Sequence, residues 1–216
     1  MDLTQPIRSV IPSAQGHVLA ILARTDRPLS GRGVAELTDG RLSAKGVNLA
    51  LRALAAHGLV LVEDHPPAKL YTLNRRHLAA GAIVELAGLR TRLIASLRHG
   101  FTTWATPAAG AWLFGSAARG DGTADSDIDL LLVRKDDIDI EDAVWTAQVD
   151  ELVDDVRAWT GNPCAVIEYS EGEFADLMAA EGQLVDELRS DALALLDATA
   201  LPEPAAPGHQ RRRSRA

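Results

Sequence analysis

Only one cysteine, Cys164, occurs among the 216 residues, which excludes an internal disulfide and any metal site built on paired thiolates. Within CAVIEY it reads as a small buried hydrophobe rather than a reactive thiol. Long apolar runs are also missing: no stretch approaches the roughly 20 residues a membrane-spanning helix needs. The opening MDLTQPIRSV lacks a cationic segment followed by an apolar one, so no export signal is expected and the cytoplasm is the expected location. The six histidines, at 17, 57, 65, 77, 99 and 209, show no metal-ligand spacing. What is present is ordinary for a globular chain: 47% hydrophobic and 24% charged residues, enough for one large or two small domains.

The net charge of −8 is unevenly spread. Residues 1–100 hold 13 Lys and Arg against 7 Asp and Glu, whereas residues 101–216 hold 9 against 23. Such a split suggests two modules with different partners, the basic one facing a polyanion.

In SAQGHVLAILART, residues 13–25, Ser13 can cap a helix whose apolar face is Val18, Leu19, Ile21 and Leu22. After the break DRPLSG, GRGVAELT reads as a short second helix ending near Thr38. Ser43 can cap a third, 43–57, with Val47, Leu51 and Leu54 at helical spacing and Gly58 as its stop. The stretch LVLVED-HPPAK-LYTLN is two β-like runs around a Pro-Pro break, the pattern of a hairpin. Helix, helix, helix and hairpin with a basic balance resembles a winged helix-turn-helix domain, covering residues 1–78. That resemblance implies helix 43–57 in a DNA major groove, with Lys45, Asn48 and Arg52 on it and Lys69 on the wing. The other reading of such a module is packing or dimerisation. Residues 79–101 read as a helical connector with Ile83, Leu86, Leu93 and Leu97 on one side. The Pro/Ala-rich, arginine-bearing tail 201–216 is expected to be disordered.

The stretch LFGSAARGDGTADSDIDLLLV, residues 113–133, carries the chemistry. AAGAWLF is an apolar strand, and Gly115 then permits a tight turn. Ser116 offers a hydroxyl and backbone N–H groups at a helix start, an arrangement suited to phosphate. After the polar loop DGTADS comes the strand DIDLLLV, on which Asp127 and Asp129 project to one face and Ile128 to the other. Two adjacent carboxylates repel unless they share a divalent cation, and oxygen ligands beside a phosphate site suit Mg2+.

The Gly-Ser followed by Asp-x-Asp resembles the signature of the nucleotidyltransferase superfamily that shares the fold of DNA polymerase β, in its minimal bacterial form. The resemblance implies an α/β (α+β) nucleotidyltransferase domain with a short mixed sheet over residues 102–200, preceded by the mostly α winged-helix domain. It further implies Gly115 and Ser116 on the β- and γ-phosphates of an NTP, Arg119 reaching the triphosphate, and Asp127 and Asp129 on Mg2+ or Mn2+. The chemistry implied is two-metal in-line attack on the α-phosphate with pyrophosphate leaving. The superfamily's third carboxylate lies on a later strand, and in CAVIEYS the only acid is Glu168, so Glu168 is the expected third metal ligand and catalytic residue; a solvent-facing strand end is the other reading. Residues 141–160 read as an amphipathic helix through Val144, Trp145, Val149, Leu152, Val153 and Val156. Helices are also expected in 171–181 and 183–197, their acids mostly solvated.

The function expected is transfer of a nucleoside monophosphate to a hydroxyl on a protein, tRNA or small molecule. A toxin–antitoxin component that regulates its own gene fits the two modules. The second expectation is a winged-helix transcription regulator whose nucleotidyltransferase domain senses nucleotide or is inactive. A weaker third is an oligomerising scaffold. A homodimer and double-stranded DNA are the expected macromolecular partners, and no membrane.

Overall fold

The computed structural model describes residues 1–196. The tail 201–216 and the last residue of the expected helix 183–197 lie outside the described residues. A 3-10 turn at Pro6–Ser9 precedes helix α1 (Ala14–Ala23), the short strand β1 (Leu29–Ser30), and helices α2 (Gly31–Glu36) and α3 (Ala44–Ala56). Ser30 and Ser43 cap α2 and α3, each hydroxyl accepting from the amide three residues on, Gly33 and Gly46. Strands β2 (Val60–His65) and β3 (Ala68–Leu73) form the hairpin read from the Pro-Pro break, and β1 adds to β3 to give the antiparallel order β1-β3-β2. Val18, Leu19 and Leu22 of α1 meet Val34, Val47, Leu51, Leu54 and Tyr71 in one buried cluster.

The segment 79–101 is two helices rather than one: α4 (Ala80–Ala87) and α5 (Leu89–Phe101) meet at Gly88. The break has a packing reason. Ile83 and Ala87 of α4 belong to the N-terminal core, while Leu93, Leu97 and Phe101 of α5 belong to a second core shared with the sheet that follows. A single straight helix would leave one of the two faces uncovered. Leu3 joins that second core as well, its amide donating to the Gly122 carbonyl at 2.9 Å.

The second sheet is mixed, in the order β6-β5-β4-β7. Strand β4 (Gly110–Phe114) runs antiparallel to β5 (Ile128–Arg134), with the short helix α6 (Gly115–Arg119) between them. Helix α7 (Ala143–Thr160), capped by the Asp142 carboxylate, then crosses over so that β6 (Cys164–Ser170) lies parallel to β5. Helices α8 (Glu171–Ala179) and α9 (Gln183–Asp191) cover the opposite face. The chain leaves α9 earlier than helical periodicity predicts, because Leu193 and Ala194 form β7 on the free edge of β4. On one face Ile128, Leu130 and Leu132 pack against Trp145, Val149, Leu152 and Val156 of α7. On the other, Leu131 and Val133 pack against Phe174, Met178, Val185 and Leu188. No helix among the described residues is long and apolar enough to cross a membrane.

Candidate functional site

Phe114, the last residue of β4, is in register with Asp129, so the turn into α6 passes directly over that aspartate. Gly115 sits there at φ +64°, and a Cβ at this position would lie 2.5 Å from an Asp129 carboxylate oxygen. Both the left-handed backbone and the close approach require glycine. Next to it, the Ser116 carbonyl accepts from the amides of Gly120, Asp121 and Gly122 at 2.9, 3.1 and 3.2 Å, folding the following loop back onto α6. A Cβ on Gly122 would lie 3.0 Å from Ser116 Oγ. The Gly-Ser turn is therefore held between the Asp129 carboxylate and the 120–122 loop.

Asp127 is exposed and Asp129 half-buried at the mouth of β5. Burial first, then the charges of Asp127 and Glu187, hold the Asp129 carboxyl above its ordinary value, and Arg119 opposes them only partly. Glu187 is on α9, where Gln183 Nε2 donates to its carboxylate at 2.8 Å. Nothing in the sequence distinguishes Glu187 from the solvated acids of that helix; its proximity comes from α9 packing beside α6. Arg119 pairs with Asp121 at 3.1 Å and with Asp191 at 3.5 Å, on the far end of α6 from Ser116. Cys164, the register partner of Ile128, has its thiol pushed up to about 12 by burial and then by the Asp129 and Asp127 charges, so it stays protonated.

The loop that delivers the aspartates hangs on one residue, Asn162, whose side chain is fully buried. Its Nδ2 donates to the carbonyls of Thr123, Ala124 and Ser126 at 3.2, 3.2 and 2.9 Å. In sequence, Gly161-Asn162-Pro163 looks like nothing more than a helix stop.

Glu168 is not brought to the aspartate pair. In the parallel register Asp129 faces Ala165, and Glu168 faces Leu132, three residues further along. Alternation puts Glu168 on the α7 side of the sheet and Asp129 on the α9 side. The carboxylate of the half-buried Glu168 accepts a hydrogen bond from Nε1 of the buried Trp145, across the sheet from the aspartate pair. Its work is to satisfy an indole N–H that would otherwise be buried without a partner. Among the described residues, no group of three or more His, Cys, Asp or Glu side chains is placed to hold a metal ion.

Lys45, Asn48 and Arg52 are all exposed and recur at helical spacing on α3, beside Leu49, which is 69% exposed. Asn48 Oδ1 lies against Gly31, where a Cβ would come within 2.7 Å of it. Lys69 pairs with Asp64 across the hairpin at 3.2 Å, so the expected wing carries no unopposed cation there.

The raised Asp129 carboxyl makes a stability prediction for chelator-treated protein. A carboxyl bound more tightly to its proton when folded adds stability below the unfolded value of about 3.9, and that stability is lost as pH rises through the folded value. At neutral pH the ionised Asp129 is thus a cost, and Asp129→Asn should raise the melting temperature there, with the gain fading toward pH 4. Thermal melts in EDTA at both pH values check this; a lower melting temperature for the variant at pH 7 would contradict it.

Among known families, the model described as "Nucleotidyltransferase domain" matches residues 102–174. That span holds Gly115, Ser116, Asp127, Asp129 and Asn162. No curated protein matches the chain. One solved structure, described as "Crystal structure of the toxin-antitoxin with AMP-PNP", is 18% identical, with a TM-score of 0.30, covering 48% of this chain and 70% of that one.

Proposed function

We propose that the chain binds a metal–NTP complex over the Gly115-Ser116 turn and transfers the nucleoside monophosphate to a hydroxyl acceptor. The observation that carries this reading is the close approach of the turn to Asp129. It sets the turn's backbone amides against a carboxylate pair whose negative charge Arg119 offsets only in part. The match of residues 102–174 to the nucleotidyltransferase domain family supports the same reading.

Asp127 and Asp129 suit one divalent cation that also touches phosphate oxygens, since Mg2+ favours one or two carboxylates completed by the substrate. When bound, that cation supplies charge stabilisation on the reacting phosphate. The chain's own residues do the rest. The Gly115 and Ser116 amides with the Ser116 hydroxyl orient the terminal phosphates, Asn162 holds the 123–126 loop so that Asp127 meets Asp129, and Arg119 supplies positive charge along α6. Incubation with Mg2+ and NTP labelled at either the α- or the γ-phosphate, with cell lysate as acceptor, tests the reading. Transfer of α-label alone supports it; γ-label on the acceptor, or none from either, refutes it.

A second reading, a regulator that senses nucleotide without transferring it, is favoured by one specific observation: the residue facing Asp129 on β6 is Ala165, which has no carboxylate. The N-terminal module belongs to this reading as a winged helix-turn-helix domain reading DNA with α3. Lys45→Ala and Arg52→Ala should each weaken duplex binding and lower its salt dependence by about one counterion, because each removes one cation from the phosphate backbone. Binding titrations across salt concentrations measure this; unchanged affinity in both variants removes α3 as the DNA reader.

A further inference from the structure

Where the N-terminal module meets the 120–122 loop, a cavity of about 520 Å3 opens beside α1. Its floor is apolar, with Ile21, Leu29 and the 52%-exposed Leu37, and its rim carries Arg24, Arg27 and Arg41. A second cavity of about 510 Å3 shares Thr4, Arg24 and Gly120 with the first and continues to Arg90 and Arg119. The two cavities adjoin at these residues; the first is a trough beside α1, and the second reaches the end of α6.

Four of these arginines, Arg24, Arg27, Arg41 and Arg90, have no carboxylate partner among the described residues. Arg24 and Arg41 each donate one hydrogen bond to a neutral oxygen of Thr4, the carbonyl at 3.1 Å and Oγ1 at 3.3 Å, and keep other donors for a ligand. Arg90 donates to the carbonyls of Ala117 and Ala118. Burial and then the neighbouring Arg24 charge weaken the hold of Arg90 on its proton. Arginines gathered this way recognise phosphate, and their planar faces stack on bases. Asp39, on the same rim, suits the hydroxyls of a ribose.

We propose that this trough binds a nucleoside phosphate, its base on the Ile21, Leu29 and Leu37 floor and its phosphate on Arg24 and Arg41. The volume fits one nucleotide, within the range of small-molecule sites. The site is separate from the Gly115-Ser116 turn and does not depend on transfer taking place there. Its ligand is either a free nucleotide or the end of a single strand, which share this chemistry.

The test uses the full chain carrying Asp127→Asn and Asp129→Asn, in EDTA, so that metal-dependent binding over the Gly115-Ser116 turn is silent. Calorimetric titration with ADP, with a 5′-phosphorylated single-stranded octanucleotide and with inorganic phosphate reads the trough alone. ADP or the octanucleotide should bind at least tenfold more tightly than inorganic phosphate. A tenfold advantage of the octanucleotide identifies a strand end; equal affinity, or an advantage of ADP, identifies the free nucleotide. Arg24→Gln and Arg41→Gln should each weaken binding tenfold or more. Leu37→Glu, at an exposed position whose replacement leaves the core intact, should do the same. No binding of either nucleotide probe, no preference over inorganic phosphate, or unchanged affinity in Leu37→Glu and the arginine variants overturns the proposal.

Discussion

Asp127→Asn and Asp129→Asn should each lower nucleotidyl transfer by a factor on the order of 10²–10³ or more while leaving the chain folded. That is the scale of losing one preorganised group that stabilises charge at a reacting centre. Asparagine keeps the shape of aspartate, and its amide still fits beneath Gly115, so the β4–α6 turn keeps its path. What disappears is the negative charge that, in the function proposed here, draws a divalent cation to the triphosphate. The two variants differ in a second respect. Asp127 is exposed, so removing its charge should raise the melting temperature in EDTA only by relieving its repulsion of Asp129, whereas Asp129→Asn also removes a half-buried charge and should raise it more. Quantitative transfer assays at saturating Mg2+ separate the cases: either variant retaining wild-type transfer removes that residue from the site.

Ala165→Asp is the opposite experiment, and it should increase Mg2+-dependent transfer by about tenfold or more, equivalent to about 1.4 kcal/mol at the transition state. Ala165 is exposed, faces Asp129 across the parallel β5–β6 register, and lies on the same side of the sheet. A carboxylate there would complete a three-acid group with Asp127 and Asp129. Without metal, the added charge should lower the melting temperature, because Asp127, Asp129 and Glu187 already repel one another. The two effects have opposite signs and come from one substitution. A variant that is destabilised in EDTA yet gains nothing in transfer would mean that a third carboxylate at this position is not what limits the reaction.

The aspartate pair was legible in the sequence because it needs only local geometry: period-two alternation, a polar loop before it and an apolar run after it. Gly115 was legible for a similar reason, as a turn residue between strand and helix. Glu168 shows where that logic stops. Alternation along β6 correctly groups Cys164, Val166 and Glu168, but which of the two faces carries the aspartates depends on the register with β5. A shift of one residue exchanges the faces, and no single strand encodes its own offset. Asn162 and Glu187 were hidden for a related reason: each acts through a loop or helix distant in sequence. The division of 79–101 at Gly88 also follows from tertiary packing, since Ile83 and Leu97 continue one helical stripe in sequence but cover different cores. Helix α3 and the hairpin, by contrast, carry their own caps and turn residues and were readable without the rest of the chain.

The measurement that bears most directly on the Gly115-Ser116 and Asp127-Asp129 site is equilibrium binding of a non-hydrolysable NTP analogue, with Mg2+ and with EDTA, to wild type and to Asp129→Asn. Mg2+ should tighten binding to the wild type by at least tenfold and have little effect on the variant. Equal affinity with and without Mg2+ in the wild type, or the same Mg2+ enhancement in Asp129→Asn, would contradict a metal–triphosphate site at this turn.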